Sequence, residues 1–309
     1  MNLRKRTGQG VALSLAGIAV SFLCSCAGKA PQKIHAELQE VVKGFQELRM
    51  SMEKEGLTAA ELTPFDPSVL SFRDDAVKAK MLSIVRPMKK RSISMMDVVH
   101  ARRFIKRHEE VLGKAEKESA VPREVVVSII WIETTFGTYL GRYSVLDTLA
   151  SLALLRIPEI GREIAGQSRV LAQVEADEDK TRDDDWKDVD WSKRTQEVGD
   201  RWYGELKSFL RLCSHADWDV HEVFGSWAGA IGYGQFLPSV ALDYMLERPV
   251  DLWNWEDMIP LIARELAKIG WSSTETGASK EEVLSRYNAP RAYVEAVLEM
   301  RARLAGVSN

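Results

Sequence analysis

An all-α fold, or one nearly so, is what this sequence predicts. Three observations carry it. Apolar residues recur three and four apart through most of the chain, helix start and stop signals flank those runs, and no run alternates apolar and polar residues like a half-buried strand. No internal repeat is visible.

In chain order, Ile34–Glu55 carries Leu38, Val41, Val42, Phe45 and Leu48 on one face and stops at Gly56, which suits a C-cap. Thr58–Phe72, with Pro64 and Pro67, reads as a connector. Asp97–Glu118 reads as one long charged helix with a stripe through Val98, Phe104, Ile105, Val111 and Leu112. Pro122 suits the first turn of the next helix, VPREVVVSIIWIETTFG, which stops at Gly137. Ser144-x-x-Asp147 ahead of LASLALL reads as a capping box opening a further helix. Trp202–Cys213, Trp255–Lys268, Lys280–Tyr287 and Ala292–Leu304 complete the helical set. Residues 174–199 include EADEDKTRDDDWKDVDWSKR, whose only large apolar residues are Trp186 and Trp191. That composition predicts a solvated loop or insertion. Its aspartates lack the glycine and the alternating spacing of an EF-hand loop.

At 309 residues the chain has room for one large domain or two ordinary ones, and 45% apolar with 28% charged residues is ordinary for a globular protein. A net charge of −3 supplies no basic surplus for phosphates, so nucleic acid is not expected as a partner. The N-terminus differs from the rest. MNLRKR is basic, and VALSLAGIAVSFL (Val11–Leu23) is apolar but too short to span a bilayer comfortably, as in a secretory signal.

The signal ends in Leu23-Cys24-Ser25-Cys26, which resembles a bacterial lipobox. That resemblance implies a signal peptide over 1–25, lipidation of Cys26, and membrane attachment through the lipid. A soluble secreted chain cut nearby and an uncleaved anchor are the alternatives. Cleavage leaves Cys26 and Cys213, and a lipidated Cys26 cannot bridge, so no intramolecular disulfide is expected. Cys213 then reads as a small buried apolar residue.

Two stretches carry chemistry. GSWAGAIGYGQFLPS, residues 225–239, spends four glycines where each weakens a helix by roughly 1 kcal/mol against alanine, so the stretch is not built for local helix stability. In the helix after Pro122, Glu133 lies three, four and seven residues beyond Ile130, Ile129 and Val126, on the apolar stripe itself. Burial penalises a carboxylate's charge and raises its pKa, and an acid still protonated near neutrality is what glycosidic-bond cleavage needs. From this position alone the structural reading is the stronger, since a Glu in the last turn of a helix is more often a partly exposed or paired structural residue.

Glu133-Thr134-Thr135-Phe136-Gly137 followed by LGRYSVLDTLASLA resembles the catalytic block of the B-type lytic murein transglycosylases. The 225–239 stretch is similar to a second block of that family, and Arg286-Tyr287-Asn288 with Tyr293 resembles a third. The three blocks, in order over roughly 98–304, imply a lysozyme-like helical catalytic core at 73–309 with an N-terminal helix and connector at 26–72. They imply cleavage of the β-1,4 bond between N-acetylmuramic acid and N-acetylglucosamine, with 1,6-anhydro ends and no cofactor. The partner implied is the peptidoglycan glycan strand, and the place is the cell envelope. Ala27 after the lipid cysteine fits the periplasmic face of the outer membrane in a Gram-negative cell.

Carried over residue by residue, Glu133 is the acid/base, and Ser226 and Asn288 orient its carboxyl. Tyr233, Gln235, Tyr287 and Tyr293 line the saccharide cleft. Structural hydrogen bonding is the other reading of Gln235 and Asn288, and packing is the other reading of Tyr293. Asp147 reads as a cap in preference to a second carboxylate. Departures from the family pattern are also present. Tyr244-MLERPVD-Leu252-Trp253 lacks the D-x-D-G core of the family's calcium loop, so no metal is expected. Leu155-Arg156-Ile157-Pro158-Glu159 replaces a P-R-R segment, and Glu265 stands where an aromatic belongs. A muramidase that uses water, and an inactive glycan-binding lipoprotein, are the competing readings.

Overall fold

The computed structural model describes residues 31–86, 88–178, 184–271 and 279–306. Cys26 and the signal segment lie outside them. The helices are α1 Pro31–Lys54, α2 Ala59–Leu62, α3 Asp74–Leu82, α4 Met95–Arg107, α5 Glu109–Ser119 and α6 Arg123–Thr134. A two-residue strand β1, Tyr143–Ser144, precedes α7 Val145–Ala153, α8 Pro158–Glu178 and α9 Trp191–Ala216. Strand β2, Phe224–Gly225, then leads to α10 Pro238–Glu247, α11 Trp255–Lys268, α12 Lys280–Tyr287 and α13 Arg291–Leu304. The strands pair antiparallel, Tyr143 with Gly225 and Ser144 with Phe224. Among the described residues no helix is long and apolar enough to cross a membrane.

Two helices form the centre because they are apolar nearly all round. In α6, Val125, Val126, Val127, Ile129, Ile130 and Trp131 are all buried, and α6 packs against α13 and α4. In α7 every residue but Asp147 is buried, and the helix packs against α9 and α3. Ten residues, 135–144, join these helices, and the last two of them are β1.

The N-terminal segment is fastened to this centre. Phe45 of α1 meets Phe65 edge-on at 6.4 Å. Glu55 accepts from Tyr203 at 3.0 Å and from Lys207 at 2.5 Å, both on α9. The connector after α1 is not wholly irregular. Thr58 and Glu61 form a capping box around the short α2, and Arg49 donates to the carbonyls of Leu62 and Phe65.

Four local expectations change. The single helix expected over 97–118 is two, broken at His108, whose ring packs 4.5 Å from Phe104 and 6.2 Å from Trp255. Pro122 is the N-cap of α6, one residue before its first turn. Ser144 caps Asp147 at 3.2 Å, but the Asp147 carboxylate accepts from the Ser71 amide at 3.1 Å, so half of the box is spent on a tertiary contact. Within 174–199 the described residues are mostly helical, and Trp186 and Trp191 are buried. The charged residues sit outside while two indoles dock the segment.

Candidate active site

Glu133 stands in the last turn of α6, and the chain leaves that helix by an unusual path. Thr135, Phe136 and Gly137 are consecutively left-handed, with φ of 49°, 59° and 78°. For the two residues with a Cβ this costs roughly 1–2 kcal/mol each, so other contacts must hold it. Arg91 supplies several. Its guanidinium donates to the Trp131 and Ile132 carbonyls at 3.0 and 3.4 Å and to the Thr135 hydroxyl at 3.0 Å, and it lies 4.4 Å over the Trp131 ring. A cation at a helix C-terminus also complements the partial negative charge of the free carbonyls. Phe136 stacks on Phe104 at 5.3 Å. Nothing in the sequence marked Arg91, because a tertiary helix cap leaves no spacing signature.

The 225–239 stretch lies against this helix end. The Thr134 hydroxyl donates to the Tyr233 carbonyl at 3.3 Å and accepts from the Gly137 amide at 3.0 Å. Tyr233 stacks on Trp255 at 4.1 Å with the planes 18° apart. Gln235, also left-handed at φ 49°, donates to the Gly232 carbonyl at 3.0 Å and reaches the Leu140 carbonyl at 3.5 Å. Two glycines of the stretch let the protein's own backbone approach closely. A Cβ on Gly225 would lie 2.2 Å from the Ala230 carbonyl oxygen, and one on Gly232, at φ 73°, would lie 2.7 Å from that of Leu252. No alanine fits at either place.

Around the carboxyl the structure brings together three of the residues named from sequence. Asn288, at the C-cap of α12, and Tyr293, in the first turn of α13, both interact with the Glu133 side chain, and each favours its charged form. Burial raises the Tyr287 phenol pKa, and the nearby Glu133 charge raises it further. The Tyr287 and Tyr293 hydroxyls are buried and have no partner at standard hydrogen-bond geometry, so the Tyr293 contact to Glu133 is a loose one. Tyr293 is only 1% exposed. It supports the carboxyl from behind and cannot present a face to a saccharide in this conformation.

Ser226 is placed differently. Its hydroxyl oxygen accepts from the Ala228 and Ala230 amides at 3.3 and 3.0 Å, which closes the turn of its own loop. It organises the wall, and the groups that act on the Glu133 carboxyl are Tyr293 and Asn288.

Burial decides the electrostatics of Glu133. Desolvation raises its pKa from the ordinary 4.5 to about 7, against the opposing pull of Tyr293 and Asn288. The side chain nevertheless keeps partial solvent access, as an acid that must reach a substrate requires. Among the described residues no second carboxylate acts on it. Asp147 is held by Ser71 and Ser144, and Glu265 accepts from the Tyr244 hydroxyl at 2.7 Å. No group of three or more metal-ligating side chains occurs among the described residues. Glu247 pairs with Arg264, and the Asp251 carboxylate caps the Trp253 amide at 2.9 Å.

A family model described as the transglycosylase SLT domain matches residues 43–282, well over half of the chain. The chain belongs to that family. A curated relative, the membrane-bound lytic murein transglycosylase B of Escherichia coli K12, is 27% identical over 172 residues. Those residues are 54% of this chain but only 37% of the relative's length. Among solved structures, the E. coli lytic transglycosylase SLT35 in complex with bulgecin A superposes with a TM-score of 0.62 at 19% identity, covering 85% of this chain and 92% of that one. The soluble lytic transglycosylase SltB1 of Pseudomonas aeruginosa gives 0.60 at 21% identity, over 86% and 99% of the two chains. SltB3 of P. aeruginosa, solved with NAG-anhNAM-pentapeptide, gives 0.59 at 17% identity, over 85% and 80%. The lysozyme-like helical fold is shared with all three.

Proposed function

We propose that this protein is a lytic transglycosylase of the bacterial cell envelope, cleaving the N-acetylmuramic acid–β-1,4–N-acetylglucosamine bond of peptidoglycan with Glu133 as its single acid/base. One observation carries the reading: a largely buried carboxyl that keeps partial solvent access, with a pKa of about 7 and no second carboxylate among the described residues acting on it. Ordinary glycosidases need a pair, the second acting as nucleophile or as base for water. One carboxyl suffices when the substrate supplies its own nucleophile.

The protonated Glu133 gives its proton to the glycosidic oxygen as the C1–O bond breaks, releasing the 4-hydroxyl of the N-acetylglucosamine. The resulting carboxylate then takes the proton of the muramic acid C6 hydroxyl as that oxygen bonds to C1. Water is neither added nor lost, the 1,6-anhydro end forms, and Glu133 returns to its starting state. Asn288 and Tyr293 stabilise the charged carboxylate between the two transfers, while Tyr233, stacked on Trp255, and Gln235 form the wall along which the glycan lies. The anhydro-muramyl ligand of SltB3, a protein of the same fold, supports this product.

Mass spectrometry of fragments released from purified peptidoglycan tests the reading. Anhydro ends, lighter by one water than reducing ends, are expected; reducing ends alone would overturn it.

The same proposal includes attachment of Cys26 to the membrane by lipid, supported by the lipobox-like Leu23-Cys24-Ser25-Cys26 and by the membrane-bound E. coli relative. Cells labelled with a fatty-acid probe should mark the wild-type protein and not Cys26→Ala. Equal labelling of both would refute the assignment.

A further inference from the structure

Beside Trp227 of the glycine-rich stretch lies a cation with no counter-ion among the described residues. Lys80, in the last turn of α3, places its Nζ 4.2 Å over the Trp202 ring and 6.0 Å over that of Trp227. Arg201 lies over the same Trp202 ring at 5.1 Å. Arg194 adds a fixed positive charge, held by the Lys80 and Met81 carbonyls and the Ser83 hydroxyl at 2.8, 3.0 and 3.1 Å. Burial and the two arginines together lower the Lys80 pKa to about 8, and no carboxylate among the described residues offsets them. The nearby Asp200 is paired with Arg156 at 3.4 Å.

A half-buried ammonium between guanidinium groups is costly, because desolvation and like charges both oppose it. Aromatic faces compensate part of that cost. They leave the charge unneutralised and open to an anion. Trp227 is 36% exposed and directly follows Ser226, in the same loop that carries Tyr233 and Gln235. Trp202 is buried and donates to the Ala228 carbonyl at 3.0 Å, which locks this part of the loop onto α9. The arrangement offers a flat apolar platform with a positive group at its edge. That matches a sugar or peptide segment bearing a carboxylate, and mismatches a neutral saccharide.

We propose that Lys80, with Arg201 and Trp227, forms a subsite for a carboxylate carried by the muramyl residues of the glycan strand, distinct from the groups around Glu133. This rests on the glycan reading of the cleft and names what the strand must carry. Two sources share the chemistry: the carboxylates of an attached peptide stem, and the lactyl carboxylate, which is free only on muramyl residues that have lost the stem amide-bonded to it.

The test separates binding from bond cleavage by using Glu133→Gln protein throughout. Binding of soluble glycan strands is measured for strands with intact stems, strands stripped of stems by an amidase, and strands whose carboxylates are converted to amides. Lys80→Met in this background is expected to weaken carboxylate-bearing strands about tenfold, as loss of a charge-assisted contact does. It should leave the amidated strands unchanged. A loss confined to intact strands assigns the stem carboxylates, a loss confined to stripped strands assigns the lactyl group that stripping frees, and a loss on both shows that the subsite takes either. Arg201→Met, at an exposed position, should give a smaller loss of the same pattern, about threefold, and serves if Lys80→Met does not fold. Unchanged binding of carboxylate-bearing strands, or an equal loss on amidated ones, overturns the proposal. Failure of the transglycosylase reading shows separately, as reducing ends released by the wild-type protein.

Discussion

Replacing Glu133 by Gln should abolish strand cleavage and at the same time make the protein more stable above neutral pH. The carboxyl's pKa rises from 4.5 to about 7 because it is buried. At about 1.4 kcal/mol per tenfold change in protonation, ionising it in the folded state costs about 3 kcal/mol. The raised value means that the folded state binds more protons than the unfolded one between these two limits. Stability therefore falls as pH rises through that window, and the full penalty stands above pH 7. Glutamine keeps the shape and carries no charge. Urea unfolding of both proteins at pH 5 and pH 8 isolates the effect, since every other titrating group is common to the pair. The variant's advantage should grow by roughly 2 to 3 kcal/mol between the two conditions. Cleavage should drop by roughly a hundredfold or more, the typical contribution of a positioned general acid. An advantage that does not change with pH would refute the burial argument, and unchanged cleavage would refute the catalytic one.

Asn288→Ala removes a group that favours the Glu133 carboxylate, so the alkaline limb of the pH–rate profile should move upward while kcat falls about tenfold; a limb that moves down would contradict the assigned sign. Arg91→Met deletes a three-contact cap on α6 and should cost about 2 kcal/mol in urea unfolding, with kcat reduced more than KM changes, and Arg91→Lys should recover only part of the loss because it lacks the planar fork. The Cys213 thiol, 1% exposed and pushed up to about 12 chiefly by burial, should resist alkylation in the native protein and react at once in urea, as read by mass spectrometry of its peptide. Labelling at equal rates in both states would show that α9 opens locally.

Much of the site was legible because its determinants are local. Glu133 falls on the stripe of Val126, Ile129 and Ile130, so its burial follows from helical period alone, and burial is the largest cause of its raised pKa. The spans Trp255–Lys268 and Lys280–Tyr287 match the observed helices residue for residue, since capping by Asn254 and Ser279 is a short-range interaction. The family resemblance then linked blocks that no periodicity connects. Other features depend on residues far apart in the chain. The break at His108 comes from packing against Phe104 and Trp255, and a pattern that still allows one continuous helix cannot register it. Arg91 reaches the end of α6 from 40 residues upstream, and Tyr293 turned out to be a buried support and not a cleft surface. Ser226, expected at the carboxyl, instead closes the loop that holds Tyr233. Sequence by itself determined the helices, their caps and the acid placed on an apolar face, because each is settled within a few turns of chain. Only the tertiary structure decided which groups surround that acid and where the uncompensated charge of Lys80 stands, because desolvation and partner choice depend on segments that meet only when the chain has folded.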